Sequence, residues 1–65
     1  MNEELKSMIR QSAEEEQHDI DKYKRMADMA EEAGDNKIAG VLRDIAGEES
    51  SHKMLLKQIL GEYAP

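Results

Sequence analysis

Two glutamates and one histidine are the residues of this chain whose types and spacing could do chemistry. Glu49 and His52 form a Glu-x-x-His pattern, which in a helix places both side chains on one face, one turn apart. A carboxylate and an imidazole placed in this way can bind the same ion, and the pair suits iron, manganese or zinc. Glu16 is the third candidate, because all three residues interrupt stripes that are otherwise apolar.

Two helices are predicted to position these residues. The first covers about residues 3–33 and the second about residues 36–60. Gly34 suits the left-handed backbone position just past a helix end, and Gly61 is suited to end the second helix. The sequence therefore predicts one all-α domain over residues 1–65, built as an antiparallel hairpin of two helices.

Each predicted helix carries a stripe with alternating spacings of three and four residues, as in helices packed nearly antiparallel. The first stripe consists of Ile9, Ala13, Glu16, Ile20, Tyr23, Ala27 and Ala30. The second stripe consists of Ile38, Leu42, Ile45, Glu49, His52, Leu56 and Ile59. Further apolar residues widen both stripes beyond what one hairpin can cover, so a second hairpin is expected to complete a four-helix bundle.

The polar interruptions of the two stripes are predicted to meet at one height. A hairpin that turns near residues 34–35 sets Glu16 beside roughly residue 53, level with Glu49 and His52. Burying such groups without compensation costs several kcal/mol each, which leaves two readings: a mutual hydrogen-bond and charge network, or a metal. Two copies related by a twofold axis would offer four glutamates and two histidines, enough for two bridged ions.

The composition narrows the functions open to the chain. It has 65 residues, a formal net charge of -6 and no cysteine. The negative charge argues against nucleic acid and anionic membrane surfaces as partners, and no apolar run approaches the roughly 20 residues of a membrane span. The lack of cysteine excludes disulfides, Cys-ligated zinc and iron–sulfur centres. Because the N-terminus is acidic and polar, unlike a secretory signal, we expect a cytoplasmic protein.

The stretches EEEQHDIDKYKRMADMAEEAG and DNKIAGVLRDIAGEESSHKMLLKQIL resemble the helix pair of the ferritin-like superfamily. The resemblance is to rubrerythrin-type proteins and to the short encapsulated ferritins. It rests on Glu16 with Tyr23 seven residues later, on a glycine at the turn, and on Glu49 and His52 within EESSH. It implies a diiron site, with two irons per dimer, in which Glu49 bridges the irons. Glu16 and His52 would bind at the ends, and Tyr23 would lie just outside the ligands.

The same resemblance implies an iron-binding protein that oxidises Fe(II) with dioxygen or peroxide, a ferroxidase for iron storage or detoxification. Its candidate catalytic residues are Glu16, Tyr23, Glu49 and His52. Manganese stays open as the metal because it shares these ligands with iron. Two alternative functions stay open as well. One is a rubrerythrin-like scavenger of peroxide fed by an external reductant, and the other is a non-catalytic, metal-stabilised helical interaction module.

The chain departs from rubrerythrins in two ways. Rubrerythrins have four helices in one chain and usually a rubredoxin-like domain, whereas this chain has half a bundle and no cysteine. Ala13 and Ile20, one turn either side of Glu16, leave no counterpart for the extra carboxylate ligand of rubrerythrins. The single hairpin instead resembles encapsulated ferritins, which build the site between subunits, so we expect a homodimer or a higher oligomer. Those proteins generally end in a peptide that docks in a protein shell, and the C-terminal GEYAP does not support that partner.

Overall fold

The computed structural model describes the backbone of residues 1–63 and the side chains of residues 1–61. Within that part of the chain the fold consists of two α-helices, α1 at Glu3–Glu32 and α2 at Asn36–Tyr63, packed against each other as a hairpin. The predicted all-α hairpin is confirmed. The second helix runs past the predicted end near residue 60, so Gly61 lies within α2 rather than ending it.

The turn between the helices follows from one glycine and one aspartate. Gly34 has a φ of 83°, a left-handed conformation that glycine adopts without steric penalty. Its N–H donates to the Glu31 carbonyl at 2.9 Å, and the Asp35 N–H donates to the Ala30 carbonyl at 2.8 Å, which together satisfy the last carbonyls of α1. Asp35 then caps α2, because its Oδ1 accepts from the Ile38 N–H at 3.0 Å.

The side chains buried between the two helices are mostly small. The buried apolar residues among those described are Ala13, Ile20, Ala27, Ala39 and Ala46. The predicted stripe of α2 is therefore rotated from its expected position, because Ile38 is 51% exposed while its neighbour Ala39 is fully buried. Alanine lets the helix axes approach closely, and the larger apolar side chains then flank the line of contact. The result is a thin rod of 48 × 15 × 10 Å with a small core.

The two sides of this rod differ in character. On one side, which we call the polar face, side chains bridge α1 and α2 through hydrogen bonds and ion pairs; its bridging residues are Gln17, Asp28, Glu31, Arg43 and Lys53. Other large apolar side chains stay 40–59% exposed, and the helical repeat directs them away from the bridging residues; we call their surface the open face, and they are Leu5, Met8, Met26, Met29, Ile38, Val41 and Leu55. Neither helix, over the described residues, has a stretch long and apolar enough to cross a membrane.

Candidate metal centre

The structure brings Glu16, Glu49 and His52 into one group at the middle of the rod. Each offers one ligand atom, and these atoms all lie within 4.8 Å of one another. Nδ1 of His52 is 3.9 Å from Oε2 of Glu16 and 3.9 Å from Oε1 of Glu49. The three residues that the sequence placed at one height thus lie side by side.

Both helices contribute to this geometry in a simple way. Glu49 and His52 project from one turn of α2, and Glu16 projects from the middle of α1. Ala13 and Ile20, one turn before and after Glu16, are both buried against α2. They hold the helices close enough at this height for carboxylates from different helices to meet.

The group lies on the open face rather than inside the hairpin. The Glu16 and Glu49 side chains are 22% and 20% exposed, whereas the His52 side chain is 56% exposed. Glu16 shares the open side of α1 with Met8 and Met26, which are eight and ten residues away and lie about 80° from it in the same direction around the helix. Sequence analysis placed the three groups within an apolar interior, but one hairpin covers only their inward sides. A single chain therefore leaves the group accessible from the open face.

The carboxyls of Glu16 and Glu49 lie close together, and their proximity affects the ionisation of Glu16. The pKa of Glu16 is raised, first by the hydrogen bond of a proton shared with Glu49, then by partial burial and by the negative charge of Glu49. The positive form of His52 opposes this increase only in part. In addition, Oε2 of Glu16 is shielded from solvent and accepts no hydrogen bond. An acceptor shielded from solvent and without a partner is unfavourable, so the group favours the arrival of a cation or a proton.

The donor set fits a divalent metal. Carboxylate oxygens and imidazole nitrogens bind such ions at about 2.0–2.2 Å, so ligands on opposite sides of one ion stand about 4.2 Å apart. The observed limit of 4.8 Å between ligand atoms is close to that span, and side-chain rotation within the group can close the difference. Glu16, Glu49 and His52 are the residues that would hold the ion, and its positive charge would satisfy the unpaired oxygen of Glu16.

Tyr23, the fourth candidate from the sequence, lies further along α1. It is seven residues from Glu16, which corresponds to about 10 Å along the helix axis. Its side chain is half-buried, and the ammonium of Lys22 lies 5.2 Å from the centre of its ring. The structure therefore places Tyr23 on the same side of α1 as the group, about two turns nearer the turn of the hairpin.

The polar contacts that bridge the helices on the other side of the hairpin were not predicted from the sequence. Lys53 donates to Gln17, and the guanidinium of Arg43 lies 3.4 Å from Asp28 and also pairs with Glu31. The antiparallel register that sets Glu16 beside roughly residue 53 also sets Gln17 beside about residue 52, next to Lys53. The sequence therefore contained a signal for the pair of Gln17 and Lys53.

Comparison with known proteins gives one match. A family model described as Rubrerythrin matches residues 7–65, a range that contains the three candidate ligands and Tyr23. No curated protein and no solved structure matches the chain.

Proposed function

Because this chain belongs to the rubrerythrin family, we propose that it is an iron-binding ferritin-like protein that oxidises Fe(II) at a diiron carboxylate site shared between two copies. The strongest support for this proposal is the geometry of the candidate metal centre. Glu16, Glu49 and His52 form a metal-ligand group with an unsatisfied carboxylate oxygen, and this group opens onto an exposed apolar face.

The number of ligands and the open face argue for a second copy. One hairpin supplies two carboxylates and one imidazole, which is too few to enclose an ion and leaves His52 56% exposed. Exposed apolar side chains lie on both sides of the group along the rod, including Met8 on one side and Met26 on the other. A second hairpin packed on this face by a twofold axis would cover these side chains and bring a second set of ligands to the same height.

Within such a site the protein's own residues have distinct tasks. By the family resemblance, Glu49 would be the bridging carboxylate, and Glu16 and His52 would bind at the outer positions. Since the pKa of Glu16 is raised in the metal-free hairpin, protons compete with a metal for this carboxyl more strongly than at an ordinary glutamate as the pH falls. The carboxylates then favour the more highly charged ferric product over the ferrous substrate.

Iron enters this reaction as the substrate. Two ferrous ions give one electron each, and one dioxygen molecule with two protons leaves as hydrogen peroxide. With peroxide as the oxidant, the same two electrons and two protons yield two water molecules. Both reactions would use the same protein residues.

Native mass spectrometry combined with metal analysis tests the proposal most directly. The expected species is an even-numbered oligomer that takes up two irons per dimer, and stopped-flow absorbance should then show oxidation of Fe(II) on addition of dioxygen or peroxide. A monomer that takes up no iron would contradict the shared site. Tight binding of zinc together with an absence of Fe(II) oxidation would instead indicate a structural metal site without turnover.

The family match supports a second candidate, a peroxide scavenger that draws electrons from an external donor. In that case peroxide would be consumed catalytically in the presence of an added reductant, faster than free Fe(II) is oxidised. Comparing the two rates on the same preparation separates the candidates. The ferroxidase reaction stops when Fe(II) is exhausted, whereas the scavenging reaction continues until the electron donor is exhausted.

A further inference from the structure

A hydrogen bond across the helices lies on the polar face at the height of the candidate ligands. The ammonium of Lys53 on α2 donates to Oε1 of Gln17 on α1. Gln17 directly follows Glu16 in the sequence, and Lys53 directly follows His52. The bond therefore joins the two helices beside the ligands, from the opposite side of the hairpin.

A second bond fixes the orientation of the Gln17 amide. Its Nε2 donates to Oδ1 of Asp21, one turn further along α1, at 2.9 Å. Because the amide nitrogen faces Asp21, the amide oxygen is the atom left to accept from Lys53. Both Gln17 and Lys53 are half-buried, so solvent competes less for this bond than for a surface pair. We call Asp21, Gln17 and Lys53 the clasp.

The helix packing at this height restrains sliding of one helix along the other only weakly. The buried contacts nearby are formed by Ala13, Ile20 and Ala46, two of which are small. Small side chains form shallow ridges, so they resist sliding of one helix along the other less than large interdigitated side chains do. Sliding by one residue moves a ligand by about 1.5 Å, whereas a metal site needs its ligands held to within about 0.5 Å. The carboxyls of Glu16 and Glu49 cannot supply the restraint, because they repel each other when ionised.

We propose that the clasp positions the metal ligands: Gln17 and Lys53 fix the register of α1 against α2 so that Glu16, Glu49 and His52 converge on one ion. The inference rests on the proposed metal site. Neither Gln17 nor Lys53 is a ligand, and both act through the helix backbone.

The chemistry of the clasp suits this role. An ammonium group one residue from His52 could pair with a ligand carboxylate and so compete with a metal for it. By bonding to the neutral amide of Gln17, Lys53 is held on the far side of the hairpin. The clasp thus joins the helices while leaving the negative charge of Glu16 and Glu49 available to a cation.

Co(II) is the probe that tests the proposal, because its visible d–d bands report ligand geometry and its binding does not depend on turnover. Lys53→Met keeps the aliphatic stem but removes the donor. We expect it to weaken Co(II) binding by about tenfold and to alter the bands, the effect usual for loss of a group that orients a ligand. Lys53→Arg keeps a donor and should retain the wild-type bands.

Arg43→Met is the matched control, since it removes the bridges to Asp28 and Glu31 near the turn of the hairpin. It should lower thermal stability to a similar extent as Lys53→Met and leave the Co(II) bands unchanged. Equal changes in both variants, or wild-type affinity and bands in Lys53→Met, would overturn the positioning role.

A measurement on the metal-free wild-type chain separates this inference from the proposed function. Nuclear Overhauser effects are expected between the side-chain amide of Gln17 and the ε-methylene of Lys53. If they are absent, the clasp does not form and the inference is wrong. If they are present but the wild-type chain binds no Co(II), the metal site is refuted, and the positioning role is refuted with it.

Discussion

Nδ1 of His52 on α2 lies 3.9 Å from Oε2 of Glu16 on α1, and that same oxygen accepts no hydrogen bond. The two atoms come from opposite halves of the chain, 36 positions apart in the sequence. They are too far apart for a direct hydrogen bond and close enough to bind a common ion. This relationship links the fold of the hairpin to its chemistry.

Replacing His52 by alanine should abolish metal binding, whereas replacing the other histidine should not. His52→Ala removes the only imidazole of the group, so we expect affinity for Co(II) or Fe(II) to fall more than about a hundredfold, beyond the effect of losing an orienting partner. His18→Ala is the control, since His18 is exposed and lies outside the group. Titration followed by absorbance checks both variants, and equal losses in the two would contradict the assignment.

Replacing Glu16 by glutamine should stabilise the metal-free protein at neutral pH. The folded-state pKa of Glu16 is raised above its ordinary value of 4.5, so the folded chain holds more protons than the unfolded chain just above that pH. The resulting contribution to stability is complete below pH 4.5 and is lost as the pH rises through the raised pKa. The glutamine of Glu16→Gln does not titrate, so the stability of this variant should not decrease in the same way as the pH rises.

Thermal unfolding in the presence of a chelator, measured from about pH 4 to pH 8, checks this prediction. The wild-type midpoint should fall relative to that of Glu16→Gln as the pH rises, and added metal should stabilise only the wild type. Glu15→Gln, at an exposed position of α1, controls for the change in net charge. A constant difference between Glu16→Gln and the wild type across this range would show that the two carboxyls do not interact.

A charge on the open face should break the proposed dimer. Met8 is 59% exposed on that face, so Met8→Glu would bury an unpaired carboxylate in each subunit and weaken association by about a hundredfold or more. Met54→Glu is the matched control, because Met54 is 68% exposed but lies outside the open face. Sedimentation velocity distinguishes the outcomes, and dissociation caused by Met54→Glu alone would place the interface on the other side of the hairpin.

Alanine at two glycines should change stability in opposite directions. Gly34 has a φ of 83°, which costs a residue with a Cβ about 1–2 kcal/mol, so Gly34→Ala should destabilise the hairpin. Gly47 lies inside α2, and nothing lies within 4 Å of a Cβ added there, so Gly47→Ala should stabilise it by about 0.5–1 kcal/mol. Urea unfolding measures both, and destabilisation at Gly47 would indicate that another subunit packs against that position.

Local sequence signals were sufficient to predict the two helices and the turn, although not the end of α2. Gly34 is at the position where the turn needs a left-handed conformation, and the Asp35 side chain caps the helix that follows. Both effects act within a few residues, so they can be read without knowledge of the fold. The common height of Glu16, Glu49 and His52 follows from the helical repeat once the turn is placed, and the structure has them within reach of one another.

Tertiary structure decided which sides of the helices face each other. The sequence favoured Ile38 in the contact, yet Ala39 and Ala46 are buried and Ile38 is exposed, because close approach of two helices selects small side chains along the line of contact. That rotation leaves His52 open on an apolar face and puts Gln17 against Lys53 on the other side. Which face of a helix is buried depends on how well that face packs against the other helix. The two helices are distant in the sequence, so no short stretch contains both packing partners.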